Sequence, residues 1–362
     1  MTDTVQNRGT RKATLTTEVV APRCAAMAVG SVPHTDPAVA VDLVMRTTPD
    51  IPAWPQLPRR TFRESMYVQF TEGFPGLCLD EVRERVYVLD EPPSDQLVAF
   101  VEALESDDPA RFAISPGNAA ALPVLGEALA AAASVPPFVK GQVTGPISLG
   151  LSLPREDRRA LLYDDTLRDI AVNLLVMKAR WQADLLRSWA PDATALIMVD
   201  EPSLTQMGSA FVSIPEAIAF PALEQCLAAL GCLTGLHVCG ATDWSSLIEL
   251  PVDVLNFDAA DHLDAFLAHR ESVGAFLAAG GLLAWGVVPN DERAMKLGAE
   301  ETGATVLAGA EHLAAGGFVD VDQILRASFV CPACGTGTLT EPLAERCFTL
   351  AAETSAWLRA RM

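Results

Sequence analysis

Three residues of this 362-residue chain have the types and spacing of a metal centre: His237, Cys239 and Cys334. In His237-Val238-Cys239-Gly240 the two donors are separated by one residue, so on an extended strand both side chains point to the same face, within reach of one ion. They supply half of a tetrahedral zinc site. Cys334, in Cys331-Pro332-Ala333-Cys334-Gly335, follows the last β-like run of the chain and offers a third ligand. Three protein ligands leave zinc one open position, the arrangement of a catalytic site, and a thiol entering that position loses its proton and stays nucleophilic at neutral pH. Other readings of the same residues stand beside this one. Cys239 could be a buried thiol next to a hydrogen-bonded His237, and Cys331-x-x-Cys334 could be a redox pair or a structural half-site. Zinc held by His237, Cys239, Cys331 and Cys334 together would have no open position.

Such a site needs elements that bring distant strand ends together. Ala25 to Val29 reads as a strand that opens at Gly30-Ser31-Val32-Pro33-His34-Thr35. Val139 to Val143 ends at Thr144-Gly145-Pro146, Ala195 to Val199 at Asp200-Glu201-Pro202, and Leu233 to Val238 at the His-x-Cys pair. Further strands are predicted over Val252–Phe257, over Leu282–Val287, and in a last apolar run to Val330. Helical periodicity falls between them, with Leu167, Ile170, Leu174, Trp181 and Leu185 on one face of Thr166–Trp189; further helices are predicted over Ser94–Glu105, Pro215–Leu230, Asp261–Ala279 and the C-terminal stretch. Alternating strands and helices predict a parallel sheet with right-handed crossovers. No glycine-rich phosphate loop follows an early strand, which favours a barrel over an open doubly wound sheet. The expectation is α/β, a single (β/α)₈ TIM barrel over residues 23–362 behind a flexible tail over residues 1–22, and the length accommodates it. Residues 51–76, rich in Pro and aromatic residues, read as an irregular segment: a packed lid, a dimer contact or the rim of the barrel mouth.

Composition narrows the partners. A formal charge of -20 and a pI near 4.6 repel phosphate backbones, which argues against nucleic acid. Apolar runs fall short of a membrane span, and the polar N-terminus lacks the pattern of a secretory signal. Eight cysteines spread over this length fit a reducing compartment, so a soluble cytoplasmic protein is expected.

The chain resembles the superfamily that joins cobalamin-independent methionine synthase, the methylcobamide:thiol methyltransferases and uroporphyrinogen decarboxylase. The resemblance rests on the Gly30–Thr35 stretch, Thr144-Gly145-Pro146, Asp200-Glu201-Pro202, His237-Val238-Cys239-Gly240 and Pro332-Ala333-Cys334-Gly335, in that order, over most of the chain. It implies zinc on His237, Cys239 and Cys334, with Cys331 outside, and a carboxylate ligand at Asp258. It also implies a substrate held by Gly30, Ser31 and Asp200. Three departures matter. There is length for only one barrel, so the folate-holding half of a methionine synthase is missing. The stretch Arg60-Thr61-Phe62-Arg63-Glu64 places no glutamate where the family binds an amino acid. The loop Val288-Pro289-Asn290-Asp291 lacks the family's proton-carrying histidine, for which His34 is the candidate substitute.

What the resemblance implies is methyl transfer to or from a zinc-activated thiol such as homocysteine or coenzyme M, the methyl group coming from a corrinoid protein or a methyl-folate. Two alternatives remain open at this point: a decarboxylase-like lyase whose tetrapyrrole propionates would be met by Arg59, Arg60 and Arg63, and a non-catalytic barrel with a structural zinc.

Overall fold

The computed structural model describes residues 20–207, 212 and 214–362. The predicted tail over residues 1–22 therefore lies almost wholly outside the described residues. Seven apolar runs form one parallel sheet, in the order β1 (Ala25–Ala26), β9 (Ser328–Pro332), β8 (Leu282–Val288), β7 (Val254–Asp258), β6 (Leu233–Val238), β5 (Thr194–Asp200) and β4 (Phe138–Thr144). The two remaining strands, β2 (Leu77–Asp80) and β3 (Arg85–Val88), pair with each other as an antiparallel hairpin.

Helices return the chain from one strand to the next, as parallel pairing requires. α1 (Pro37–Thr47) follows β1. The insertion before β4 carries α2 (Ser94–Glu105) and α3 (Ala121–Ala131). After β4 come α4 (Pro146–Ser152) and α5 (Asp165–Trp189), and after β5 comes α6 (Glu216–Ala228). α7 (Trp244–Leu247) follows β6, α8 (Leu263–Leu267) and α9 (Arg270–Ala278) follow β7, α10 (Ala299–Ala314) and α11 (Val321–Arg326) follow β8, and α12 (Glu341–Arg359) closes the described chain. The region predicted as one helix over Asp261–Ala279 is thus two.

The sheet curls, but it is not the expected closed barrel of eight strands. Between β1 and β4, where an eighth strand would lie, residues 50–57 run with prolines at positions 52 and 55. Proline has no N–H to give a ladder, so continuous pairing is impossible there. The segment instead makes isolated contacts with both edges. Gln56 and Gly30 pair on one side (N···O 3.1 Å), and on the other the amides of Phe138 and Lys140 reach the carbonyls of Asp50 and Pro52 (both 3.0 Å).

Buried side chains complete this seam. Lys140 Nζ donates to the carbonyl of Val29 (2.6 Å) and to Gln142 Oε1 (3.1 Å). Gln142 Nε2 donates to the Trp54 carbonyl (3.0 Å), Trp54 Nε1 to Gln182 Oε1 (2.8 Å), and Gln182 Nε2 to the Gln142 carbonyl (3.1 Å). All four side chains are fully buried, and their bonding satisfies groups that would otherwise cost free energy away from water.

Within the curl, the end nearer the strand N-termini is apolar. Met27, Ile51, Phe138, Leu196, Val254 and Phe329 pack there, with the Phe138 and Phe329 rings edge to face at 5.4 Å. Toward the strand C-termini the inward positions turn polar, which is where a barrel-like α/β fold carries chemistry. Among the described residues, no helix is long and apolar enough to cross a membrane.

Candidate metal centre

Strand register sets out the polar row. Thr144 at the end of β4 pairs with Asp200 of β5, Asp200 with His237 of β6, and His237 with Asn256 of β7. Cys239, two residues beyond His237, shares its face. Cys334 arrives from β9 in a loop held on three sides. The Ala333 amide donates to the Val288 carbonyl (2.8 Å), Asn290 Nδ2 to the carbonyls of Cys334 (2.7 Å) and Gly335 (2.9 Å), and the Thr336 amide to the carbonyl of Ser31 (2.8 Å). Gly335 permits the close crossing, since a Cβ would lie 2.3 Å from Ser31 Oγ and force that hydroxyl to turn away.

The ligand atoms of His237, Cys239 and Cys334 all lie within 4.8 Å of one another. Zinc–nitrogen and zinc–sulfur bonds of about 2.0–2.3 Å place opposing ligands of one ion within such a span. His237 is buried, and neither ring nitrogen makes a well-formed hydrogen bond, the side chains of Cys239 and Asn256 being the polar groups beside it. A buried imidazole without a well-formed hydrogen bond is rare, and a metal would satisfy one of its nitrogens. Both cysteines are partly exposed, leaving the group open to the barrel mouth. A hydrogen bond from the Cys334 thiol, with the His237 ring beside it, holds Cys239 well below the usual thiol value against the effect of burial; Cys334 moves the opposite way. Soft donors, one already inclined to thiolate, fit zinc.

Other residues singled out in the sequence fall into two sets. Asp200 joins the row, with Oδ1 unpartnered, and burial raises its pKa to about 6 against the pull of His237 and Lys140. Ser31 packs against the Cys334 loop, accepting from the Gly337 amide (3.3 Å). Gly30 lies so close to Gln56 Oε1 that a Cβ would approach it to 2.6 Å. By contrast, Asp258 is turned into its own loop, where Oδ1 accepts from the amides of Ala260 and Asp261 (both 2.9 Å), and it is not part of the three-residue group. His34 faces Glu345 of α12 at 3.4 Å. Cys331 is fully buried in the apolar layer and accepts from Asn256 Nδ2 (3.2 Å); burial pushes its thiol up to about 12. The four-ligand arrangement with Cys331 is therefore not what the chain builds.

Arg59, Arg60 and Arg63 are each occupied. Arg59 donates to the carbonyls of Gly337 and Thr338, Arg60 pairs with Glu64 (2.7 Å) and Arg63 with Glu81 (2.7 Å). Glu201 points away from the row and caps α4, accepting from the amides of Ile147 and Ser148 (both 2.8 Å) and from Ser148 Oγ (2.7 Å).

Three contributors were not singled out in the sequence: Lys140, Asn256 and Tyr67. Lys140 and Gln142 at alternate places in the strand Phe-Val-Lys-Gly-Gln-Val-Thr were a readable signal, because inward polar residues on a buried strand need an interior use. Asn256 braces the β7–β8 edge through the Ala284 carbonyl (2.9 Å). Tyr67 sits in the irregular segment, where no periodicity marks which side chains turn inward.

No protein-family model matches the sequence, and no curated protein matches it. Among solved structures, the chain is similar in fold to a methyltransferase from Methanosarcina mazei, with a TM-score of 0.51 and 14% identity over 90% of this chain and 87% of that one. It is likewise similar to a Listeria monocytogenes protein provisionally described as a vitamin-B12-independent methionine synthase, with a TM-score of 0.51 and 15% identity over 90% of this chain and 86% of that one. Identities this low establish a shared fold.

Proposed function

We propose that this protein is a zinc-dependent S-methyltransferase acting on a small-molecule thiol. The observation that carries the reading is the group His237, Cys239 and Cys334, gathered at the C-terminal ends of parallel strands with its ligand atoms within 4.8 Å of one another. The methyltransferase description of one fold neighbour and the methionine synthase description of the other agree with it. Zinc bound by these three residues would keep one position for an incoming thiol and favour its ionised form.

The chain's own residues do the rest. Strand pairing between β5, β6 and β7 fixes His237 between Asp200 and Asn256. Asn290 and Ser31 fix the loop of Cys334. Asp200, with an unpartnered oxygen, accepts from a cationic or proton-bearing group of the thiol substrate. Transfer then balances simply. The thiolate sulfur supplies the electron pair of the new S–CH₃ bond, and the methyl carrier keeps the pair of the bond it loses and takes up a proton.

The test is metal content of the freshly purified protein, with X-ray absorption at the zinc edge before and after adding homocysteine or coenzyme M. About one zinc per chain with nitrogen and two sulfurs, gaining a third sulfur on adding thiol, is expected. Protein that is purified without zinc and does not take it up would refute the reading.

A further inference from the structure

In sequence, Cys331-Pro332-Ala333-Cys334 has the spacing of a pair that cycles between dithiol and disulfide, but the fold turns its two cysteines to different surroundings. Cys331 lies within β9, fully buried in the apolar layer against Asn256 Nδ2, whereas Cys334 lies beyond the strand end and is partly exposed. The sulfur that Cys334 meets belongs to Cys239. The two sulfurs lie within 4.8 Å of each other, and a hydrogen bond joins them.

Little movement separates this pair from a covalent bond. A disulfide holds its sulfurs at about 2.05 Å, so they must approach by less than about 3 Å. Neither cysteine is inside the ladder: Cys239 follows β6 and Cys334 follows β9. The bonds that fasten the Cys334 loop engage its backbone and Thr336, not the Cys334 sulfur. Rotation about the Cα–Cβ bonds with a small shift of either loop closes the gap.

Access sets the same pair apart from the other cysteines. Cys24, Cys226, Cys232, Cys331 and Cys347 are buried, and burial shields a thiol from an oxidant in water. Cys78 is partly exposed, but it stands on the β2–β3 hairpin opposite Tyr87.

We propose that Cys239 and Cys334 are a redox modification site, joined in a reversible disulfide by a hydroperoxide, and that this bond and a zinc ion are alternative occupants of the same two sulfurs. The second part rests on the metal reading given above. One sulfur attacks a peroxide oxygen and gains OH, and the other peroxide oxygen leaves as water with the proton of that thiol. The second sulfur displaces the OH, which leaves as another water with the second thiol proton, and the S–S bond forms. Two electrons pass from the sulfurs to the peroxide, and a dithiol reductant returns them. Zinc binds thiolates, so the disulfide leaves His237 alone of the three ligands and withdraws the centre from catalysis until it is reduced.

The test treats the zinc-stripped and the zinc-loaded full chain with hydrogen peroxide and maps the peptides without reduction. The stripped chain is expected to give a Cys239–Cys334 cross-link, and zinc should slow its appearance at least about tenfold by occupying both sulfurs. The cross-linked chain should take up less than about a tenth of an equivalent of zinc, and dithiothreitol should restore uptake. Cys331→Ser should cross-link like the parent, whereas Cys239→Ser should leave Cys334 uncross-linked, both with unchanged circular dichroism. A cross-link between Cys331 and Cys334, oxidation of Cys239 or Cys334 without a cross-link, equal rates with and without zinc, or full zinc uptake by the cross-linked chain would overturn the inference. A reduced chain that binds no zinc yet forms the Cys239–Cys334 bond would overturn the proposed function and leave the disulfide standing. A chain that binds zinc but never forms the bond would do the reverse.

Discussion

The arc from β4 to β9 and the sector from β1 to β4 enclose the same interior by different means. In the arc, six strands pair in unbroken order and their register alone places Asp200, His237 and Asn256 side by side. In the sector, prolines forbid a ladder, and Lys140, Gln142, Gln182 and Trp54 join the edges through buried side-chain bonds. A ladder spreads its strength over many equivalent bonds, whereas a side-chain network concentrates it in a few groups that are costly to leave unpaired. The arc suits ligands that must hold fixed geometry; the sector, freed from pleated regularity, can carry a hairpin.

The comparison breaks most sharply at the metal. Cys239→Ala is expected to reduce zinc from about one equivalent to almost none while the sheet stays folded, because the ligand leaves but the ladder does not. Metal analysis with circular dichroism checks it, and loss of fold along with zinc would show that the arc depends on the ion. Next in size is the seam. Gln182→Leu strands the Trp54 N–H and the Gln142 carbonyl in the interior and should destabilise by about 4 kcal/mol, at 1–3 kcal/mol for each orphaned group plus lost packing. Urea unfolding measures it, and a cost below about 1 kcal/mol would mean the seam does not rely on its network.

Much of the arc was legible in the sequence, because each of its strands ends in a polar or glycine-proline motif and each is followed by a helical period. His237 and Cys239 could be placed on one face from their spacing alone. The sector was not legible in the same way. The β2–β3 hairpin is half exposed and heavily charged, so no alternation of apolar and polar residues marks it. Prolines at positions 52 and 55 announced irregularity but not that it would stand in for a strand. At the site, Asp258 could be set on the right strand end but not oriented, since the choice was made by two amides in the loop after it. Glu201 shows the converse: a capping use of the Asp-Glu-Pro turn was readable, but not that the capped helix would be α4, from another strand.

Smaller tests sharpen the boundary between the two regions. Lys178 of α5 is buried beneath the insertion, with one weak contact to the Phe112 carbonyl (3.4 Å), and burial lowers its pKa to about 8. Folding therefore works against its charge at neutral pH. That penalty is complete below about 8 and vanishes as the pH rises toward the unfolded value of 10.5. Lys178→Met should be more stable than the parent by about 3 kcal/mol at pH 7, the gap closing between pH 8 and 10.5 in paired thermal melts. A gap that widens with pH would show the ammonium to be stabilised in place. Least affected should be Val82, 95% exposed at the hairpin tip. Val82→Asp is expected to change stability by less than about 0.5 kcal/mol, and a larger loss in the same melts would mean that the hairpin tip packs against something.

The loop of Cys334 is fastened to Ser31, so the candidate metal group joins an early turn of the chain to a late one. During synthesis, His237 and Cys239 leave the ribosome well before residue 334 exists, and until then they offer an ion only two ligands. Tight capture of a metal would have to wait for the loop after β9 to settle against the turn after β1. A zinc ion held here would thus record that the curled sheet has been assembled from both ends, and a chelator challenge on stalled chains of increasing length would reveal the residue at which that record is written.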